Sequence, residues 1–470
     1  MEKTDTIAAI ATPIGLGSIS VIKVSGEDAI KIVDSVYRGE GSLLGAQSHT
    51  VHYGHIICPH TETTIDEVLI SLMRAPRTMT REHVLEISTH GGLVLVKAVL
   101  EVLLASGARL AEPGEFTKRA FLNGRIDLSQ AEAIADLVSS KTDKAASIAL
   151  EQVKGSVFKT IATLRDQILE TLASLAVDVD YPEYEDEEIE RTTPSILLAT
   201  ANDIGQKVSR AIEMAKSGRI YREGIKVVIV GRPNVGKSSL MNMWLQENRA
   251  IVTNIPGTTR DTIEENANIR GIPVVLSDTA GIRETEDIVE RMGIERAYLA
   301  AEQADLLLYL LDHGQPFTED DYQQLLALSK QDSKLIIVIN KADVPSKLVL
   351  AEVANISAEN ISKQTPIVQI SVQQREGIDE LEHTIEQIMF GNQLSVMKEN
   401  GFVTNARHID LLRKTKQSLD AVVCGVQSGV PLDIVEIDFK NAWVYLGEIT
   451  GETTTEDLLD QIFSKFCLGK

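Results

Sequence analysis

Gly231-Arg232-Pro233-Asn234-Val235-Gly236-Lys237-Ser238 is the stretch whose reading decides the fold. An apolar run, Lys226 to Val230, precedes it and reads as a buried parallel strand. Ser238 to Leu245 follows with helical character. Strand, Gly-rich turn and helix N-terminus together make a phosphate cradle. Backbone N–H groups and the helix dipole face the anion, and Lys237 adds a point charge. The Ser238 hydroxyl is placed for Mg²⁺.

Further signals follow in chain order. Asp278-Thr279-Ala280-Gly281 comes after the apolar run Pro273 to Leu276. An Asp at a strand end can hold the Mg²⁺ shell, and the Gly lets a backbone N–H approach a γ-phosphate. Asn340-Lys341-Ala342-Asp343 comes after Leu335 to Ile339. The Asp343 carboxylate can accept two hydrogen bonds from guanine, from the ring N–H and the exocyclic amine. Adenine lacks that donor pair and would leave the carboxylate unpaired. Ser371-Val372, after Ile367 to Ile370, stands where the last base-contacting loop belongs. Each tetrapeptide alone is weak; the ordered set, each at a strand's C-terminal end, specifies a guanine-nucleotide domain.

The chain has 470 residues, enough for about three domains. With 43% hydrophobic and 4% aromatic residues its cores should be aliphatic. No run of 18 apolar residues marks a transmembrane span, and Met1-Glu2-Lys3-Thr4-Asp5 lacks a signal-peptide pattern. Cys58, Cys424 and Cys467 have no metal spacing and no even pairing, which fits a reducing cytoplasm. Net charge is −22 and pI about 4.9. A protein that grips RNA alone usually has a basic face; this balance reads either as a soluble acidic protein, with room for a local basic patch, or as one whose nucleic-acid contact is shared with a more basic partner.

Residues 1–120 read as mixed α/β. Thr6–Ala11, Ser18–Val24, Val51–Ile57, Val68–Arg74 and His83–Thr89 are strand-like; Glu27–Tyr37 and Leu93–Ala105 are helix-like. Residues 121–218 turn helical, with the acidic run Asp178–Glu190 as a solvated bend. Residues 219–380 hold the nucleotide motifs on five or six strands alternating with helices. The chain is then helical again: Glu380–Met389, Asn405–Val426, Leu432–Thr450 and Thr455–Phe466. The pattern predicts one helical domain, 121–218 plus 381–470, with the nucleotide domain inserted in it.

Ile282 follows the D-x-x-G motif where many small GTPases carry a water-orienting Gln. An alkyl group cannot orient water, so either hydrolysis is slow or other groups substitute. Asn234 can offer its carbonyl oxygen to a monovalent cation beside the phosphates, or it only shapes the turn. The segment Ile251–Asp261 can complete such a site, with Thr259 on Mg²⁺. The stretch Arg283, Glu284, Glu286, Asp287, Glu290 and Arg291 can supply a water-orienting carboxylate, or be a solvated switch region. Trp244 and Trp443 read as core, Cys58 and Cys424 as structural, and His90-Gly91-Gly92 as a strand-to-helix turn with tight backbone approach.

The whole chain resembles the MnmE (TrmE) family of tRNA-modification GTPases. The nucleotide motifs, including Gly257-Thr258-Thr259-Arg260-Asp261, are shared with Era-type GTPases. More specific are three other stretches. They are Asp5-Thr6-Ile7-Ala8-Ala9-Ile10-Ala11-Thr12-Pro13, then Pro113-Gly114-Glu115-Phe116-Thr117-Lys118-Arg119-Ala120-Phe121-Leu122-Asn123-Gly124 running into Asp127-Leu128-Ser129-Gln130-Ala131-Glu132-Ala133, and Phe466-Cys467-Leu468-Gly469-Lys470. The resemblance implies a multidomain α/β plus all-α chain. Its parts would be an N-terminal α+β folate-binding, dimerising domain, a helical domain, and an inserted Ras-like P-loop domain. It implies a cytoplasmic homodimer working on tRNA with an MnmG (GidA)-type flavoprotein in a heterotetramer or larger assembly, FAD and NADH being on that partner. A tetrahydrofolate derivative, in 5-formyl or methylene form, would supply the carbon for C5 of the wobble uridine.

The same resemblance implies GTP contacts from Asn234, Val235, Gly236, Lys237, Ser238 and Ser239. Others would come from Thr253, Asn254, Ile255, Pro256, Gly257, Thr258 and Thr259, from Asp278, Thr279, Ala280 and Gly281, and from Asn340, Lys341, Asp343 and Ser371. Potassium would be held by Asn234, Thr253, Ile255 and Thr258, and Mg²⁺ by Ser238 and Thr259. Glu290 would orient water, Arg283 would act in the switch, and Cys467 would lie near the reacting centre. Folate would meet Lys23, Glu86, Arg125 and Lys470. Position 23 is Lys where Arg is usual and position 125 Arg where Lys is common, which changes bidentate geometry; Val372 replaces the usual Ala. Two other readings compete: an Era-like ribosome-assembly switch, against which stands the lack of a following basic RNA-binding domain, and a metal-cluster maturation GTPase, which would need a Cys-rich tail.

Overall fold

The computed structural model describes residues 5–13, 15–180, 194–247, 265–277, 302–331, 333–349, 353, 365–391, 404–466 and 469. The chain forms two compact units: Met1–Ala135, Val153–Asp166 and Trp443–Lys470 in one, Asp136–Gln152 and Gln167–Ala442 in the other.

In the first unit, β1 (Ile7–Ile10), β2 (Ile19–Gly26), α1 (Ala29–Val36), β3 (Tyr37–Gly39), β4 (Thr50–Ile57), β5 (Thr64–Met73), β6 (His83–His90), α2 (Leu93–Ala105) and β7 (Arg109–Leu110) build one sheet. Its strand order is β3-β4-β5-β6-β2-β1-β7. Strand alternation sends Ile22, Val24, Ile70, Leu72, Leu85 and Ile87 into a core with α1 and α2. The other parity puts Lys23, Ser71 and Glu86 on the opposite face, Lys23 directly across from Glu86. The expected turn at His90-Gly91-Gly92 is there. Gly91 N–H donates to the Ser18 carbonyl at 3.1 Å, and a Cβ on Gly91 would strike the Gly17 carbonyl.

The helices α3 (Glu115–Leu122), α4 (Leu128–Ser139), α5 (Asp143–Val153), α6 (Ser156–Asp180) and α7 (Pro194–Glu223) come next. Asp127 starts α4. Its carboxylate accepts from the N–H groups of Ser129 at 2.8 Å and Gln130 at 3.1 Å, a side-chain cap on free helix donors.

In the second unit, β8 (Ile225–Val230), α8 (Lys237–Glu247), β9 (Glu265–Ile269), β10 (Ile272–Ser277), β11 (Leu306–Asp312), α9 (Glu319–Leu328), β12 (Lys334–Asn340), β13 (Ile367–Gln369) and α10 (Ile378–Phe390) form the nucleotide-domain fold. The strand order is β13-β12-β11-β8-β10-β9. β8 pairs in parallel with β10 and β11, and β12 with β11 and β13. The six strands meet the sequence reading, with one departure from strict alternation: β9 and β10 form an antiparallel hairpin. Arg270 at φ 50 and Gly271 at φ 89 make its turn, a backbone path that Gly follows without strain. Trp244 is fully buried in the core, as expected.

The chain continues in α11 (Ala406–Gln427), α12 (Leu432–Thr450) and α13 (Glu456–Phe463). α13 stops three residues earlier than the sequence pattern suggests. Phe466 N–H closes a turn on the Phe463 carbonyl at 3.0 Å, and the Phe463 and Phe466 rings pack 5.3 Å apart. Within the first unit, left-handed Gly114 meets the Phe463 carbonyl and Gly469 meets the Ile10 carbonyl, leaving no room for a Cβ at either. The acidic run Asp178–Glu190 lies outside the residues whose side chains are described. Cys424 is exposed and Cys58 half-buried. Among the described residues no helix is long and apolar enough to cross a membrane.

Candidate guanine-nucleotide and one-carbon sites

The chemistry of the second unit gathers at the C-terminal ends of its parallel strands, where open α/β sheets bind ligands. Between β8 and α8 the loop turns through three residues of positive φ: Gly231 at 145°, Asn234 at 60° and Gly236 at 102°. Such a path aims successive N–H groups inward, a concave nest for an anion. Two of the glycines are sterically required. A Cβ on Gly231 would overlap the Leu310 carbonyl, and one on Gly236 would overlap Asn340 Nδ2. Lys237 Nζ donates to the Gly231 and Arg232 carbonyls, each at 2.7 Å, and so lies across the nest. Ser238 and Ser239 are exposed in the first turn of α8.

The residues expected from the sequence to read the base are tied directly to this loop. Asn340 ends β12, is 2% exposed, and donates from Nδ2 to the Val235 carbonyl at 2.8 Å. Its Oδ1 accepts from the Val372 N–H at 3.3 Å. Lys341, at φ 63, donates from Nζ to the Asn234 carbonyl at 2.9 Å. Ser371 Oγ donates to Asp343 Oδ1 at 2.5 Å, fixing that exposed carboxylate with its other oxygen available. Three stretches that are separate in sequence, 234–235, 340–343 and 371–372, are thus joined in one place. Val372 fills its place through its backbone, so its departure from the usual Ala leaves the bond to Asn340 intact.

Sequence reasoning missed Asp312, the last residue of β11, which stands in register with Asn340. Its side chain is 5% exposed. Oδ1 accepts from the Gly314 N–H at 2.9 Å, and Oδ2 from Lys341 Nζ at 2.7 Å and Gln315 Nε2 at 3.3 Å. Asp312 therefore steers the lysine that bridges to the phosphate loop. The available signal was an Asp closing an apolar strand, the same pattern that marked Asp278.

Thr253, Asn254, Ile255, Pro256, Gly257, Thr258, Thr259, Asp278, Thr279, Ala280, Gly281, Arg283 and Glu290 lie outside the described residues, as do Cys467 and Lys470.

In the first unit, Lys23 Nζ lies 3.9 Å from Glu86 Oε1, 3.5 Å from Met79 Sδ and 5.5 Å above the Phe116 ring. Burial pushes the Lys23 pKa down, and the Glu86 charge partly offsets this. Arg125 is exposed and donates from Nη1 to the Met79 carbonyl at 3.0 Å. So Lys23 and Arg125 both meet Met79, and Glu86 joins them through Lys23. The donor set suits a folate: a carboxylate for pterin amino and ring N–H groups, cations for the glutamate end.

An ionic network centred on the buried Arg119 supports this region. Arg119 donates to Asp5 Oδ1 at 2.8 Å, to Glu115 Oε1 at 3.0 Å and to Glu82 Oε1 at 3.2 Å. Arg109 joins it through Asp5 Oδ2 at 2.5 Å and Glu115 Oε1 at 2.5 Å. These contacts hold the start of β1 against α3. They account physically for Glu115 and Arg119 in the motifs quoted above: each buried charge is compensated on more than one side, which a buried ion needs, and the exposed Asp5 supplies part of that compensation.

Comparison with known proteins covers both units. A family model described as the GTP-binding protein TrmE N-terminus matches residues 6–125, and one described as the MnmE helical domain matches residues 128–467. A protein of Geobacillus kaustophilus named tRNA modification GTPase MnmE is 49% identical over 472 residues, covering 100% of each chain. Proteins of the same name from Bacillus cytotoxicus and Staphylococcus aureus are 48% and 47% identical over 466 residues, covering 99% of each chain.

Proposed function

Because the chain belongs to the MnmE family of tRNA modification GTPases, we propose that it binds and hydrolyses GTP in the service of wobble-uridine modification. The observation that carries the nucleotide half is the double tie from Asn340 and Lys341 to the Val235 and Asn234 carbonyls. It sets a base-reading loop at a fixed distance from a phosphate nest, which is the layout of a mononucleotide site.

In this reading the nest N–H groups and Lys237 take the phosphates, and Asp343, oriented by Ser371, takes the guanine edge. Ser238 and Thr259 hold Mg²⁺. Asn234, with Thr253, Ile255 and Thr258, holds potassium, which supplies the positive charge that Ile282 cannot. Glu290 orients the water and Arg283 belongs to the switch. Lys23, Glu86, Arg125 and Lys470 hold a tetrahydrofolate derivative, and Cys467 lies near that centre. The chain acts as a cytoplasmic homodimer with an MnmG (GidA)-type flavoprotein carrying FAD and NADH. The division into residues 1–120, 121–218 plus 381–470, and 219–380 belongs to the same proposal. The net charge of −22 supports a shared grip on tRNA.

The test is mass spectrometry of wobble uridines in tRNA from cells lacking this protein, with and without the gene restored. Loss of C5 aminomethyl-type groups, reversed by the wild type, is expected. Unchanged nucleosides together with unassembled ribosomal subunits would overturn the reading in favour of an assembly GTPase.

A further inference from the structure

Arg81 occupies an unusual place. Its φ is 62°, a left-handed conformation that disfavours an L side chain and is best tolerated by Gly, Asn or Asp. A long cationic residue held there is a reason to ask what its head group does. Its Nη1 donates to the Asn123 carbonyl at 2.8 Å, and Asn123 Nδ2 donates back to the Thr80 carbonyl at 2.6 Å. Arg125 makes the reciprocal crossing, from Nη1 to the Met79 carbonyl at 3.0 Å. A Cβ on Gly124, itself at φ 66, would have Arg81 Nη1 as its nearest neighbour at 3.5 Å. The two guanidinium groups therefore share one ridge, formed by residues 79–81 zipped to residues 123–125.

That ridge is exposed and positive in an acidic chain. Arg109, Arg119 and Arg165 of the same unit are each paired with carboxylates. Among the described residues, Arg81, Arg125 and the exposed Arg77 on the same loop have no such partner. Each guanidinium offers five N–H donors in a planar fork, and the backbone carbonyl takes one from Arg81 and one from Arg125. The remaining edge of each fits a carboxylate. The ridge adjoins the folate candidates through Met79, whose sulfur meets Lys23 Nζ at 3.5 Å.

We propose that Arg81, beside Arg125, is a carboxylate-binding residue for the glutamyl tail of the folate, and that the site takes folates carrying more than one γ-linked glutamate. The inference rests on the folate reading above. Its basis is charge counting. A folate with one glutamyl residue carries two carboxylates. Lys23 is offset by Glu86, but Arg125, Arg81 and Arg77 still exceed that number. Every added γ-linked glutamyl residue brings one more carboxylate, so a longer tail matches the ridge and a short one leaves it unpaired. The contacts are exposed, so the gain per pair is modest and falls with salt.

The test is calorimetric binding of mono- and triglutamyl 5-formyltetrahydrofolate to the full-length protein. The wild type should prefer the triglutamyl form by about three- to tenfold, less at 0.5 M salt. Arg81→Gly removes the guanidinium and also relieves the left-handed backbone, so it should fold at least as well. It should lose more affinity for the triglutamyl form than for the monoglutamyl form, and with it most of the preference. Equal wild-type affinity for both folates, or a preference that survives in Arg81→Gly, would overturn the proposal while leaving the folate reading standing. Binding of neither folate would overturn both. Unchanged folate preference with weakened tRNA binding in Arg81→Gly would also overturn it, and would assign the ridge to nucleic-acid phosphates.

Discussion

Asp312→Asn should weaken guanine-nucleotide binding although Asp312 lies in no recognised motif. In the folded protein Oδ2 accepts from Lys341 Nζ at 2.7 Å and from Gln315 Nε2 at 3.3 Å, while Oδ1 accepts from the Gly314 N–H at 2.9 Å. Every partner is a donor. An amide in place of the carboxylate must therefore turn its own N–H₂ toward a donor, whichever way it is flipped. Losing one charge-assisted bond costs about 1.5–3 kcal/mol. The Lys341 side chain is 38% exposed and the Asp312 side chain 5%, so water recovers part of that at the lysine. We expect about 1–2 kcal/mol, a five- to thirtyfold rise in Kd at about 1.4 kcal/mol per tenfold. The loss travels through Lys341, whose Nζ also holds the Asn234 carbonyl at 2.9 Å. The assay is equilibrium titration with a fluorescent GDP analogue on wild type, Asp312→Asn, Lys341→Met and the double variant. The double variant should be little worse than Lys341→Met alone, because the two act as one unit. Wild-type affinity in Asp312→Asn, or strictly additive losses, would refute the argument.

Further tests bear on both sites. Gly236→Ala places a methyl group on Asn340 Nδ2 at a φ of 102°. It should raise the GDP Kd by tenfold or more, from strain of about 1–3 kcal/mol plus disturbance of the Asn340 tie; a Kd within twofold of wild type would contradict the close approach. Asn234→Ala should keep nucleotide affinity and lose stimulation of GTP turnover by KCl over NaCl, and stimulation that persists would remove the cation assignment. Glu290→Ala should bind GTP normally and lose turnover, measured by phosphate release; normal turnover would return Glu290 to a solvated switch region. The Asp5 carboxyl is held below its ordinary value of 3.8, chiefly by the hydrogen bond from Arg109, against a burial effect that raises it and with help from Arg119. Its folded pKa is depressed, so its stabilising effect is complete above about pH 4 and disappears as pH falls through the folded value. The difference in urea midpoint between wild type and Asp5→Asn should therefore be constant near pH 6 and shrink toward pH 3. A difference that grows on acidification would reverse the assigned sign.

Local patterns were legible because they need only neighbours in sequence. Leu93–Ala105 and Leu432–Thr450 form helices with the boundaries that periodicity gives, and α8 follows directly from the Gly-rich turn. The hairpin of β9 and β10 was less visible, because its turn at Arg270 and Gly271 carries a weaker punctuation signal than Asn-Gly or Asp-Gly. The end of α13 was misjudged, because the aromatic packing of Phe463 and Phe466 closes the helix into a turn, and packing is invisible to periodicity.

The sequence by itself determined the chemistry on offer. A Gly-rich loop between a strand and a helix dictates an anion nest, because only certain residues follow its backbone path. An Asn-Lys-x-Asp after an apolar strand supplies a guanine-matching carboxylate, and Ile282 removes the usual water-orienting group. Only the tertiary structure decided which of these groups meet. Asn340 lies 105 residues from Val235 in sequence, yet their contact is a buried hydrogen bond. Asp312 acquires its role solely because β11 and β12 end in register. Lys23 and Glu86 face each other because antiparallel pairing of β2 and β6 aligns them. Arg81 gains a neighbour in Arg125 only through the crossed bonds of two loops. The physical reason is common to all four. Chain order fixes local backbone preference, whereas pairing register and burial fix the distances and desolvation that turn separate polar groups into a site.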